Sequence, residues 1–158
     1  MLLTGAAIRT QHARGRIIID PFDPASLNPD SYDIHLAATL RRYTRFPLDA
    51  LSDNPTEAVE IPPDGLVLEP QHLYLGHTCE VVGSAHYAPA LAARSSIARL
   101  GLFITISASL GEVGTIGQWP LQLVAVQPLR IYAGMRVGQV IFWKVGKSAP
   151  PATNGTTP

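Results

Sequence analysis

Apolar and polar residues alternate along much of this chain with a period of two, the spacing of a strand that buries one face. The clearest case is Ser31-Tyr32-Asp33-Ile34-His35-Leu36, where Tyr32, Ile34 and Leu36 share one face and Asp33 and His35 the other. Further strands are expected over Arg16–Asp20, Leu66–Leu68, Leu73–Val82 and Tyr87–Ala93. Leu102–Ala108, Trp119–Val126 and Arg136–Val145 join them, being apolar and rich in β-branched residues. Helical signals are few. Thr4 can cap a short helix over Gly5–Arg14 with Gly15 as its stop, and Ser96–Leu100 allows one helical turn before Gly101. Pro21, Pro24 and Pro29 hold an extended loop, and Pro62-Pro63-Asp64-Gly65 reads as a tight turn. Residues 47–57 read as a surface excursion. Short strands at roughly 8–12-residue spacing predict an all-β barrel or sandwich with one N-terminal helix. One domain over residues 1–146 is expected, followed by a flexible tail over 147–158, whose Pro, Thr, Gly and Asn carry no periodicity.

Composition narrows the class. With 158 residues, 46% of them hydrophobic, the chain can build one real core. No run reaches the ~20 apolar residues of a membrane span, and the apolar part of MLLTGAAIRTQ is too short for a secretory signal. A single cysteine, Cys79, leaves no internal disulfide and fits a cytoplasmic location. It also excludes the zinc deaminase signature, which needs a P-C-x-x-C pair. His72, His77 and Cys79 do not complete a metal set, so no protein-bound zinc is expected. Lysine is scarce and no basic run is interleaved with aromatics, which argues against nucleic-acid binding.

Charge is balanced overall but not along the chain. Residues 1–80 carry six arginines against eleven acids, whereas residues 81–158 carry six bases against Glu112 alone. Ten of the twelve bases are arginine, the residue suited to bidentate recognition of phosphate. An anionic ligand in the second half is one reading; mutual neutralisation of the two halves is the other. The densest cluster is Arg94-Ser95-Ser96-Ile97-Ala98-Arg99, two guanidinium groups and two hydroxyls in six residues. Where a strand turns, such groups and backbone N–H can converge on a polyphosphate. A capped turn with both arginines in solvent would use the same residues.

Arg94-Ser95-Ser96-Ile97-Ala98-Arg99-Leu100-Gly101-Leu102 closely resembles the central motif of the dCTP deaminase branch of the dUTPase superfamily. Three other stretches agree in order. Asn28–Leu36 resembles a P-x-S-x-D-x-R-L motif, Ala108–Gly117 the loop T-A-x-x-I-D-P-G-x-x-G, and Tyr132–Phe142 the closing P-G-M-x-I-x-Q-x-x-F strand. The resemblance covers residues 2–145. It implies a distorted jelly-roll β-barrel, a homotrimer with sites between subunits, and deamination of dCTP to dUTP and ammonia without metal at the base. Mg²⁺ would accompany the triphosphate, and some members cleave the triphosphate to a monophosphate.

Roles follow from the same resemblance. Arg94, Ser95 and Ser96 match phosphate-holding positions, and Ser95 also helps orient the attacking water. Ala108 matches a position whose carbonyl contacts that water, and Arg99 the arginine that stabilises the tetrahedral intermediate at C4. Glu112 matches an aspartate near the sugar, the position that activates water in dUTPases. Pro120, Leu121 and Gln122 match residues that line the substrate. The chain departs from the pattern at Gln122, where the strand Gln118-Trp119-Pro120-Leu121-Gln122-Leu123 aligns with G-x-h-x-L-E-h (h apolar) and its general-base glutamate. A carboxamide can hydrogen-bond the base but cannot take a proton from water near neutral pH. Three readings stay open: a non-catalytic nucleotide-binding relative, an introduced Glu→Gln exchange, and dUTP diphosphatase-like hydrolysis using Glu112. The family's usual C-terminal closing segment is at most a remnant, Asn154-Gly155-Thr156-Thr157. Asp33 is expected in a structural or interface role, Trp119 and Trp143 in core or interface, and Cys79 as an inert buried thiol.

Overall fold

The computed structural model describes residues 1–106 and 108–146. Residues 1–3 run beside the last strand, with Leu3 N–H donating to Phe142 O at 2.9 Å, and lead into helix α1 (Gly5–Ala13). Thr4 caps it through its hydroxyl, which accepts from Ala7 N–H, and Gly15 ends it at φ +67°, a left-handed conformation that glycine adopts without strain. The expected helix is therefore present, and Ile8 is its buried anchor.

Among the described residues eleven strands follow: β1 (Ile18–Asp20), β2 (Tyr32–His35), β3 (Thr39–Tyr43), β4 (Thr56–Glu60), β5 (Leu66–Leu68), β6 (Leu73–Gly83), β7 (Tyr87–Ala93), β8 (Leu102–Phe103), β9 (Ile116–Ala125), β10 (Leu129–Ile131) and β11 (Arg136–Lys144). A second helix of four residues, α2 (Ser95–Ala98), follows β7 where one helical turn was expected. The expected closed barrel is not what these strands build. They form three open sheets: β4-β3-β6-β9-β8 with β1 also on β6, then β2-β11-β7, then the ribbon β10-β5. Ladders are interrupted between His77 and Val81 on β6 and between Arg136 and Gly138 on β11, and edge strands β4 and β8 carry no second partner among the described residues. Bulges of this kind bend a sheet and end its pairing.

One core joins the three sheets. Leu40, Leu121 and Leu123 from the largest, Tyr32, Ile34, Val140 and Phe142 from the second, and Leu68 and Ile131 from the ribbon are all buried in it. Strand β2 departs from the simple alternation, because Ser31 and Asp33 on its polar face are buried as well as Tyr32 and Ile34. The strand expected over Leu102–Ala108 stops at Phe103. Its partner β9 carries Pro120, which has no N–H to donate, and the Gln122 side chain takes the Ile106 N–H that a ladder would use. The hairpin β3–β4 had no apolar signature, since Arg41, Arg42, Glu57 and Ala58 face solvent. Within residues 47–57, the segment up to Pro55 is indeed an exposed loop, whereas Thr56 and Glu57 open β4. The tail expected over 147–158 lies outside the described residues. No helix among the described residues is long and apolar enough to cross a membrane.

Candidate active site

Two cavities hold most of the residues singled out by sequence. The first is polar, about 290 Å³, and is lined by Asn28, Asp33, Arg94, Ser95, Ser96 and Gln139. Its assembly follows from the register of the three-stranded sheet, where Asp33 on β2, Gln139 on β11 and Ala92 on β7 stand in one row. Two residues beyond Ala92 the chain leaves β7, and Arg94 is set down beside Asp33. Asp33 is 2% exposed, so its carboxylate must find partners inside the fold. It accepts from Asn28 Nδ2 at 2.9 Å, and Arg94 Nε lies 3.3 Å from the same oxygen. Arg136 Nη1 lies 3.7 Å from the other oxygen. Ser31 Oγ donates to Gln139 Oε1 at 2.8 Å, fixing that side chain on the neighbouring strand.

The second cavity, about 280 Å³, lies between the loop after Ser107 and the face of β9, and its walls are mainly apolar. Ala108, Glu112, Trp119, Pro120 and Gln122 line it. The loop is laced to β7, with Leu91 N–H donating to Ser109 O at 2.7 Å and Gly111 N–H to Pro89 O at 2.8 Å. Gly111 has to be glycine on packing grounds, because a Cβ there would run into the Trp119 ring. Trp119 is held in turn by its indole N–H, which donates to Val82 O at 3.1 Å. Gln122 Oε1 accepts from Ile106 N–H at 3.1 Å. A backbone N–H can only donate, so the amide oxygen faces Ile106 and the NH₂ group points elsewhere.

The fold thus groups Arg94, Ser95 and Ser96 in one place and Ala108, Glu112, Pro120 and Gln122 in another. Leu121 points away from both, its side chain fully buried in the core, and Arg99, exposed at the end of α2, lines neither cavity. Trp119 packs against the core, whereas Trp143 is exposed and not part of it. Sequence reading assigned no role to Asn28, Arg136 or Gln139, although all three lie in resembled stretches and Gln139 is the glutamine of the closing motif. His35 stands where the resembled first motif has arginine. Its Nδ1 lies 2.5 Å from Oε1 of buried Glu80, while Glu80 Oε2 accepts the His35 N–H at 3.0 Å. Cys79 is half-buried, and burial together with the nearby Glu80 charge pushes its thiol pKa up. Among the described residues no group of three metal-ligating side chains occurs. Two larger clefts, of about 340 and 400 Å³, flank the exposed loop around Phe46; in the second, Arg42 is already paired with Glu57.

Comparison with known proteins bears on the family and the fold. The dCTP deaminase-like family matches residues 2–145. A "dCTP deaminase, dUMP-forming" of Leptospira biflexa is 42% identical over 145 residues, which is 92% of this chain and 83% of that one. One of Clostridium beijerinckii with the same name is 42% identical over 142 residues, 90% of this chain and 82% of that one. The crystal structure of the 2'-deoxycytidine 5'-triphosphate deaminase from Agrobacterium tumefaciens superposes with a TM-score of 0.69 at 22% identity. It covers 89% of this chain, which spans about half (47%) of that one. The first likeness rests on sequence along almost the whole chain and the last on the fold. This chain belongs to the dCTP deaminase-like family.

Proposed function

We propose that the chain binds dCTP, as its Mg²⁺ complex, and deaminates the cytosine at C4, and that Gln122 holds this turnover low. The observation that carries the reading is the polar cavity, in which Arg94 is paired to a buried carboxylate and stands beside Ser95 and Ser96. Arg94, Ser95 and Ser96 take the phosphates. Ser95 and the Ala108 carbonyl hold the attacking water, and Arg99 stabilises the negative charge that develops as water adds to C4. Pro120 and Gln122 line the substrate, backed from the core by Leu121, with Glu112 near the sugar. Water adds to C4, the exocyclic nitrogen leaves as ammonia, and C4 becomes the uracil carbonyl. The proton that must move from water to that nitrogen has no carboxylate at position 122 to carry it. Because Arg94 and Gln122 line different cavities of one chain, we place the complete site between copies in a homotrimer, one contributing the basic bend and another the face of β9.

A second reading is favoured by the relatives' printed name, dUMP-forming. Glu112, an acid on the wall of the second cavity, activates a second water, which attacks the triphosphate and releases diphosphate to leave dUMP. The experiment is to incubate the chain and its Gln122→Glu form with dCTP, CTP or dUTP and Mg²⁺, and to measure ammonia and diphosphate. Ammonia from dCTP that rises steeply in Gln122→Glu supports deamination. Diphosphate that disappears in Glu112→Ala supports the added hydrolysis. Binding of dCTP with neither product from either form would reduce the chain to a nucleotide-binding relative.

A further inference from the structure

Asn28, Arg94 and Arg136 all meet on one buried group beside the first cavity, Asp33. We propose that Asp33 is a positioning residue for anion binding, holding Arg94 by an ion pair on its Nε side so that the terminal guanidinium nitrogens are left for phosphate. The inference rests on the reading that this cavity takes the phosphate chain. Asp33 itself cannot be the anion's partner, since a carboxylate repels phosphate. Yet it sits in the cavity wall, 2% exposed, with Arg94 Nε at 3.3 Å and Arg136 Nη1 at 3.7 Å. Two arginines on one carboxylate leave a single positive charge in excess, and the remaining wall is neutral: Asn28, Ser95, Ser96 and Gln139. Arg136 is braced a second time, with Nη2 donating to Ala25 O at 3.4 Å. The two guanidinium groups arrive from different elements, one after β7 and one at the start of β11, and Asp33 is the group that ties them in register. A guanidinium held in place before its ligand arrives loses less rotamer freedom on binding.

This role and simple neutralisation predict opposite signs. Replacing Asp33 by asparagine removes a negative charge from the cavity wall, and Coulomb attraction alone would then tighten anion binding. If Asp33 positions Arg94, the same exchange weakens it. The test is calorimetric titration of the full chain with inorganic tripolyphosphate and with dCTP and Mg²⁺. Asp33→Asn is expected to weaken both by about tenfold, the scale of one lost contact to a charged group. Arg94→Lys keeps the charge but loses the fork, and is expected to weaken both by about as much. In the Arg94→Lys background, Asp33→Asn should then add less than about twofold, because its effect runs through Arg94. Unchanged or tighter binding by Asp33→Asn overturns the proposal, as does a full additional loss in the double variant, which would mark a merely structural role. Should Asp33→Asn fail to fold, unchanged tripolyphosphate affinity in Arg94→Lys overturns it alone. An unmutated chain that binds neither probe defeats the functional reading itself, whereas one that binds both confines any failure to Asp33.

Discussion

The polar cavity beside Arg94 and the apolar one against β9 are nearly equal in size, about 290 and 280 Å³, but are built on different physics. The first is organised by a buried charge, so its side chains are tied to one another across three strands and a loop. The second is organised by packing, with Gly111 under the Trp119 ring and neutral hydrogen bonds joining the side chains of Trp119, Gln118 and Gln122 to the backbone around it. Charge networks tolerate little change, because an orphaned buried ion is costly, whereas a mainly apolar wall can accept an exchange of one amide. The motif residues Arg94, Ser95 and Ser96 line the first cavity; of the departures, Gln122 and Glu112 fall in the second, while His35 lines neither. On the proposed reading, anion binding and proton transfer fall to different cavities.

The largest expected effect lies in the second cavity. Gln122→Glu restores a group that can carry the proton from water to the leaving nitrogen, and ammonia release from dCTP should rise by about 10²–10⁴-fold, the usual contribution of a placed general base. Affinity for dCTP should change little. Equal ammonia release by both forms would show that position 122 is not where the proton moves.

The complementary change is Arg94→Ala in the first cavity. It removes the guanidinium and leaves Asp33 with Arg136 as its remaining cation, so dCTP and tripolyphosphate should both bind about 30-fold more weakly, as for loss of a charged hydrogen bond that also unbalances a buried ion. If the two cavities belong to one site, the loss appears for the whole nucleotide. If Arg94 only caps a turn, calorimetry will show no change in either titration.

How far each cavity was legible beforehand follows the same division. Arg94, Ser95 and Ser96 are adjacent in the chain, so the basic bend could be read from order alone. Asn28 and Arg136 could not, because they meet Asp33 only through pairing of β2 with β11, two strands about a hundred residues apart. Long strands with strong alternation, β6, β7, β9 and β11, stood out in the pattern, as did α1 with its Thr4 cap. The hairpin β3–β4 did not, since Arg41, Arg42 and Glu57 face water and give no apolar signal. Closure into a barrel is a property of edge strands, and neither β4 nor β8 carries a mark of its missing partner that residue order would reveal. The shortened β8 was foreshadowed by Pro120, a residue without N–H on the partner strand, but only once that strand's register was known.

A packing test bears on the second cavity alone. Gly111→Ala drives a methyl group toward the Trp119 ring and Pro89, and should destabilise the chain by about 1–3 kcal/mol, the cost of overpacking. Thermal melting measures that loss. Tripolyphosphate affinity should stay as it was, because no atom of the charge network moves with Gly111, while dCTP affinity falls. A parallel loss of tripolyphosphate affinity would mean that the two cavities are mechanically one.

The mildest test uses Cys79 in β6, tied to the second cavity through Gln118 on its wall, which donates to the Cys79 carbonyl at 3.2 Å. Burial and the Glu80 charge raise the thiol pKa, so less thiolate is present at neutral pH and alkylation should run slower than for a free thiol. The sign is fixed by the direction of the shift: the rate climbs with pH and reaches its plateau above the pH at which an ordinary cysteine has ionised. Occupying the second cavity should slow the reaction further, by about twofold, since opening of β6 is then resisted. Tripolyphosphate, which fills only the polar cavity, should leave the rate alone. Equal protection by tripolyphosphate and dCTP would show that the charged cavity governs both ends of the site, and the separation of binding from proton transfer would then have to be sought elsewhere than in the distance between these two pockets.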